Sequence, residues 1–138
     1  MPSNNMEPKK FLASYLEDFS DLIKPNEETV EKLAEVADLL KDVHREGKKT
    51  LIFGNGGSAA MASHFSVDLT KNAGLRCVNY NEADLITCFA NDYGFERWVE
   101  KAVDFYGDEG DLLIVISSSG SSKNMLNGVK AARSGNFK

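Results

Sequence analysis

Two stretches decide the fold: Leu51-Ile-Phe-Gly-Asn-Gly-Gly-Ser58 and Leu112-Leu-Ile-Val-Ile-Ser-Ser-Ser-Gly-Ser-Ser122. Each is a short apolar run that ends in glycine and serine, and each leads into residues at helical spacing. A strand feeding a helix through a tight glycine-rich turn is the repeating unit of a parallel sheet. Such a turn holds an anion with backbone N–H groups, hydroxyls and a helix N-terminus. Two of them in one small sheet predict a single phosphorylated ligand near the carboxyl ends of the strands.

Outward from these runs the pattern alternates. Residues 50–53 read as a strand, 57–71 as a helix, 76–80 as a strand, 83–90 and 95–105 as helices, 112–116 as a strand and 122–133 as a helix. This βαβαβα order gives an α/β fold with a doubly wound parallel sheet. The third strand is apolar at all five positions, the pattern of burial on both faces.

Two helices precede the sheet. Residues 1–9 read as a flexible tail. Phe11, Leu12, Tyr15, Leu16, Phe19, Leu22 and Ile23 then recur at helical spacing until Pro25. Asn26 suits an N-cap, with Glu27 and Glu28 at the positive end of the helix dipole. Val30, Leu33, Ala34, Ala37, Leu40 and Val43 form a second stripe that ends at Gly47. These stripes are long for one small sheet and predict helix packing between subunits. The sequence stops at Lys138, where a further strand is due. Three parallel strands are few, and the last would present an unpaired apolar edge. The sequence is therefore expected to be a piece of a longer protein whose C-terminal strands lie beyond it.

Composition narrows the function classes. A chain of 138 residues with 42% hydrophobic content forms one domain with a real core. A net charge of -5 argues against nonspecific binding to nucleic acid or to an anionic membrane. No apolar run approaches bilayer-spanning length. The polar N-terminus lacks a signal-peptide core, so a cytoplasmic location is the default. Cys77 and Cys88 form no metal-type cluster and read as reduced thiols in or near the core. His44 is expected at the surface and Trp98 in the packing.

The loops carry the chemistry. Gly54 and Gly56 permit a tight turn and close approach of backbone to ligand, and Ser58 opens a helix. Gly54-Asn-Gly-Gly-Ser-Ala59 also fits the dinucleotide fingerprint G-x-G-x-x-A, with Glu82 as the ribose-binding acid. The helices ahead of the first strand and the serine-rich second loop count against that rival. Ser117, Ser119, Ser121 and Ser122 surround Gly120 and suit a tetrahedral phosphate. Neither loop has a P-loop lysine, which argues against kinase or ATPase activity and favours a sugar phosphate. His64 and Asp68 stand at i, i+4, two to three turns beyond Ser58. Such a pair can move protons between adjacent carbons, bind a metal, or simply brace the helix.

Gly54-Asn-Gly-Gly-Ser58, His64-Phe65, Asn91-Asp-Tyr-Gly-Phe95, Gly110-Asp111 and Ile116-Ser-Ser-Ser-Gly-Ser-Ser122 occur in this order across roughly residues 10–138. In this the chain resembles the sugar isomerase (SIS) domain family, and within it the phosphoheptose isomerases. The resemblance implies a flavodoxin-like SIS domain over residues 10–138. It also implies conversion of sedoheptulose 7-phosphate to glycero-manno-heptose 7-phosphate, for bacterial lipopolysaccharide or capsule. Asn55, Gly56 and Gly57 match the family's substrate loop. Ser58, Ser117, Ser119 and Ser122 match its phosphate-binding serines, with Ser118 in the same loop, and Asn91 and Asp92 match a further substrate-contacting pair. His64 matches a zinc ligand. Asp68 falls where the family has a glutamate that is both catalytic base and zinc ligand, so its shorter side chain alters the reach. The family's later glutamine and histidine are expected beyond Lys138. The resemblance further implies a homotetramer, or a dimer, with sites between subunits. A non-catalytic SIS reading stands beside the isomerase: a phosphosugar-binding regulator, or a partner of the replication initiator.

Overall fold

The structure is a computed structural model that describes residues 7–138. Helix α1 spans Pro8–Leu22 and helix α2 Glu27–Arg45. Strand β1 is Thr50–Gly54, followed by α3, Gly57–Lys71. Strand β2 is Cys77–Asn79 and leads to α4, Ala83–Tyr93. A single 3-10 turn, Phe95–Arg97, joins α4 to α5, Trp98–Tyr106; strand β3, Leu112–Ile116, and α6, Lys123–Ser134, complete the described chain. The chain divides into two compact units at Val36–Ala37.

In the second unit the sheet has the order β2-β1-β3, and both pairings are parallel. All five β1 residues are buried. Their alternation serves the two faces separately. Leu51 and Phe53 pack with Trp98, Val99, Ala102 and Val103 of α5 and with Met125 and Ala132 of α6. Ile52 packs with Leu40 and Val43 of α2, Ala62 and Leu69 of α3, and Cys77 and Leu112 of the neighbouring strands. Trp98 is packed edge-on to Phe53, with ring centroids 5.5 Å apart. The sheet is thus covered on both faces, as a doubly wound α/β fold requires.

Several expectations need correction. The five-residue apolar strand β3 was expected to be buried on both faces, but only Leu112 is; its other four residues are half-buried. The central position belongs to β1, and β3 pairs with β1 along one edge, which leaves the unpaired apolar edge expected of the last strand. Cys77 is buried but Cys88 is exposed on α4, so only one thiol joins the core. Helix α4 continues to Tyr93, where Gly94 at φ +89 stops it. Helix α1 takes in residues 8 and 9, with Pro8 at its first turn where a missing N–H costs nothing. The rest of the expected tail, residues 1–6, lies outside the described residues.

In the first unit the Asn26 side chain accepts the Thr29 N–H at 2.9 Å, the expected N-cap. The stripe on α1 is exposed, Leu16 to 62%. In the second unit His44 is exposed at the end of α2.

Candidate functional site

The first glycine turn is built by close contact. A β-carbon on Gly54 would collide with the Ser58 carbonyl and come within 2.7 Å of the Ala59 nitrogen. Only glycine lets α3 start directly over the end of β1. Past the end of β2, Asn81 takes over the strand's pairing with its side chain. Its Nδ2 donates to the Gly54 carbonyl at 2.8 Å, and its Oδ1 accepts the Gly54 N–H at 3.3 Å. Asn79 in turn donates to the Ile52 carbonyl at 2.7 Å. Gly56 then adopts φ +54 and ψ -122, turning the chain into α3, and the Ser58 N–H donates to the Asn55 carbonyl at 3.0 Å.

The second turn is held by its own hydroxyls. Ser117 Oγ accepts the Gly120 N–H and Ser119 Oγ accepts the Ser121 N–H, both at 3.2 Å. Gly120 sits at φ +62. Each of these hydroxyls spends a lone pair inside the turn and keeps its hydrogen to donate outward. Ser118 and Ser119 are exposed. Ser122 is the N-cap residue of α6, and its side chain makes no capping bond. The Leu126 N–H makes the first helical bond, to the Ser122 carbonyl at 3.0 Å, so the amides before it are of the kind that bind anions.

The two turns meet. Asn55 Nδ2 donates to Asn124 Oδ1 at 3.0 Å, and Asn124 Nδ2 donates back to Asn55 Oδ1 at 2.8 Å. Asn55, Ser122, Lys123 and Asn124 line one pocket of about 340 Å³ with Phe95 and Glu96. Asn127 Nδ2 donates to the Glu96 carbonyl at 2.9 Å, which ties the 3-10 turn to α6. Parallel strands bring both loops to the carboxyl end of the sheet, where α/β folds bind ligands.

Other expected site residues stand apart. His64 Nε2 and Asp68 Oδ2 are 3.6 Å apart on an exposed face of α3, their side chains 80% and 49% exposed. Asp68 Oδ1 also accepts Asn72 Nδ2 at 3.0 Å. Ten residues of helical rise put Asp68 about 15 Å along the axis from Ser58. Asn91 and Asp92 lie exposed in the last turn of α4 and bond to each other at 2.8 Å. Among the described residues neither hydrogen-bonds to a loop. Glu82, the acid of the dinucleotide reading, is exposed just ahead of α4.

Zinc was tested on its donors. His64 and Asp68 supply one imidazole and one carboxylate, and no group of three potential ligands occurs among the described residues. A zinc centre takes three or four protein donors, so this pair is half a site and no step is derived through the metal.

Asn81 and Asn124 were not singled out from the sequence. Asn124 is 3% exposed, and its only sequence signal is its place on the inward stripe of α6, four residues before the buried Gly128.

Residues 14–138 match the family model of the SIS domain. A phosphoheptose isomerase of Fusobacterium nucleatum subsp. nucleatum is 40% identical over 129 residues, covering 88% of this chain and 66% of that protein. One of Aliarcobacter butzleri is 37% identical over 131 residues, covering 91% and 67%. Among solved structures, a phosphoheptose isomerase from Francisella tularensis superposes with a TM-score of 0.85 at 30% identity, over 96% of this chain and 73% of that one. One from Neisseria gonorrhoeae gives 0.84 at 33%, over 94% and 70%. The chain spans about two thirds of the length of these curated relatives.

Proposed function

The chain belongs to the SIS domain family, and from that premise we propose that it serves as a phosphosugar aldose–ketose isomerase, converting sedoheptulose 7-phosphate to the 7-phosphate of glycero-manno-heptose. The observation that carries the reading is the reciprocal amide pair of Asn55 and Asn124, which makes one site of two anion-binding turns. Ser58, Ser117, Ser119 and Ser122 donate hydroxyl hydrogens to the phosphate, with Ser118 beside them. Amides at the starts of α3 and α6 complement its charge. Asn55, Gly56 and Gly57 contact the chain of the sugar, as do Asn91 and Asp92. Binding energy spent at the phosphate fixes the reacting carbons.

Isomerisation needs a base that takes a proton from C1 of the ketose, leaving an enediol(ate), and returns it to C2 while a proton passes from O1 to O2. Asp68 has that role, with His64 beside it. Asp68 lies on an exposed face of α3, its side chain 49% exposed, and the reading includes an assembly in which α3 of a second copy faces the pocket. The exposed apolar residues around the pair, Met61 at 57% and Phe65 at 40%, favour a covered face. A homotetramer, or at least a dimer, follows.

The test is direct. The product of the complete gene, mixed with sedoheptulose 7-phosphate, should yield the aldose by NMR. Saturable binding without conversion would replace the isomerase with the phosphosugar-binding regulator, and no binding would remove both.

A further inference from the structure

We propose that Asn124 is a positioning residue: its paired amide bonds to Asn55 hold the glycine turn after β1 against the serine turn before α6, so that both turns grip one phosphoryl group. The proposal rests on the phosphosugar reading above and adds to it a residue that acts through Asn55, to which its amide is bonded.

Asn124 lies in the first turn of α6, the part of a helix that packs without help from an asparagine. Its neighbour Met125 and its i+4 partner Gly128 are buried. Gly128 sits so close to Val99 that the start of α6 is fixed against α5. From this fixed base the Asn124 side chain reaches across 69 residues of sequence to Asn55, giving one hydrogen bond and receiving another. The turn after β1 has no comparable anchor on that side. Asn81 grips it at Gly54, from the β2 side. Among the described residues the Asn55–Asn124 pair makes the side-chain hydrogen bonds that join the two turns. Two primary amides facing each other exchange one N–H···O bond in each direction, and do so again when both amides flip. An aspartate in either place cannot. It has no hydrogen to donate and sets two oxygens against each other. The site therefore uses a neutral, self-complementary link between turns whose other groups are turned toward an anion.

Two measurements on this chain decide the matter. The first needs no ligand. In Asn124→Ala, amide hydrogen exchange at Ser58 and Ala59 should rise about tenfold, as loss of two modest hydrogen bonds allows, while Val99 and Ala102 keep their rates. Unchanged exchange at Ser58 and Ala59 would overturn the proposal. The second is a double-mutant cycle read by the Kd for inorganic phosphate. With Asn124 intact, Ser58→Ala should weaken phosphate binding. With Asn124→Ala or Asn124→Asp present, it should cost about fivefold less, because the first turn no longer reaches the anion. Ser119→Ala should cost the same in every background. Equal coupling of Asn124 to both serines, or to neither, would make it a packing residue and overturn the proposal. If the unsubstituted chain fails to bind phosphate, the phosphosugar reading falls and the gripping role with it. The exchange result would then still say whether the two turns are locked.

Discussion

A methyl group on Gly54 has nowhere to go, because the Ser58 carbonyl and the Ala59 nitrogen are backbone atoms. Gly54→Ala should cost about 1–3 kcal/mol as the turn is pushed off β1, seen as a fall of several degrees in Tm, and it should weaken phosphate binding as well. An unchanged Tm would contradict the contact. For Asp68, the expected signature is the opposite split. Asp68→Asn in the complete gene product should cut turnover by about 10²–10⁴ while leaving stability and phosphosugar affinity in place. Titration adds a third prediction. Burial raises the Cys77 thiol from 9.0 to about 11. Burial also pulls the Lys49 ammonium down, but its hydrogen bonds to Asp108 and Asp111 outweigh this and hold it above its ordinary value. Both groups keep their protons more tightly folded than unfolded; the Cys77 contribution is whole below about pH 9 and fades as pH rises through 11, and that of Lys49 fades only above its ordinary value of 10.5. Thermal unfolding across that window should show Tm falling, and Cys77→Ala should make the fall shallower. The glycines and serines of the turns were legible in the sequence because their conformational and hydroxyl chemistry is intrinsic to the residue. Asn81 and Asn124 were not, because an asparagine's meaning depends on which atoms the fold sets opposite it.

Elements show the same division. The bounds of β1 and β3 follow from short apolar runs closed by glycine and serine. The helix after each follows from its amphipathic spacing. The edge position of β3 agrees with the unpaired edge expected of the last strand, but its half-burial does not follow from its apolar run, because burial depends on what the fold lays over each face. At the amino ends of β1 and β3, opposite the loops, Asp111 is completely buried. Its carboxylate accepts the Lys49 N–H at 3.0 Å, Lys49 Nζ at 2.6 Å and the Asp108 N–H at 2.9 Å. The sequence marks Asp111 only through the Gly110-Asp111 motif just ahead of the strand, with no role assigned, but its bonds fasten the register of that strand. Asp111→Ala would leave Lys49 with only the exposed Asp108 and strip two backbone amides of their acceptor. Loss of a partner from such a buried pair typically costs about 3–5 kcal/mol. Denaturant unfolding should show a midpoint lowered accordingly, and a shift under 1 kcal/mol would mean that water replaces the carboxylate.

At the scale of the whole molecule the exposed faces govern. The α1 stripe and the Met61–Phe65 face of α3 leave large apolar side chains uncovered, and Asp68 is half-exposed on that same face of α3. In the proposed reading an assembly whose copies share sites covers them. Ser119→Ala and Asp68→Asn variants of the complete gene product, each nearly inactive, should regain part of their activity when mixed and allowed to exchange subunits. No recovery between variants shown to exchange would place base and phosphate on one copy. The central claim, that the turns after β1 and β3 form one phosphate site, is tested most directly by NMR titration of the labelled chain with sedoheptulose 7-phosphate. The account predicts that amides of Gly56–Ser58 and of Ser117–Ser122 shift together along one binding curve with one Kd. Shifts confined to one turn, or two curves of different affinity, would contradict it.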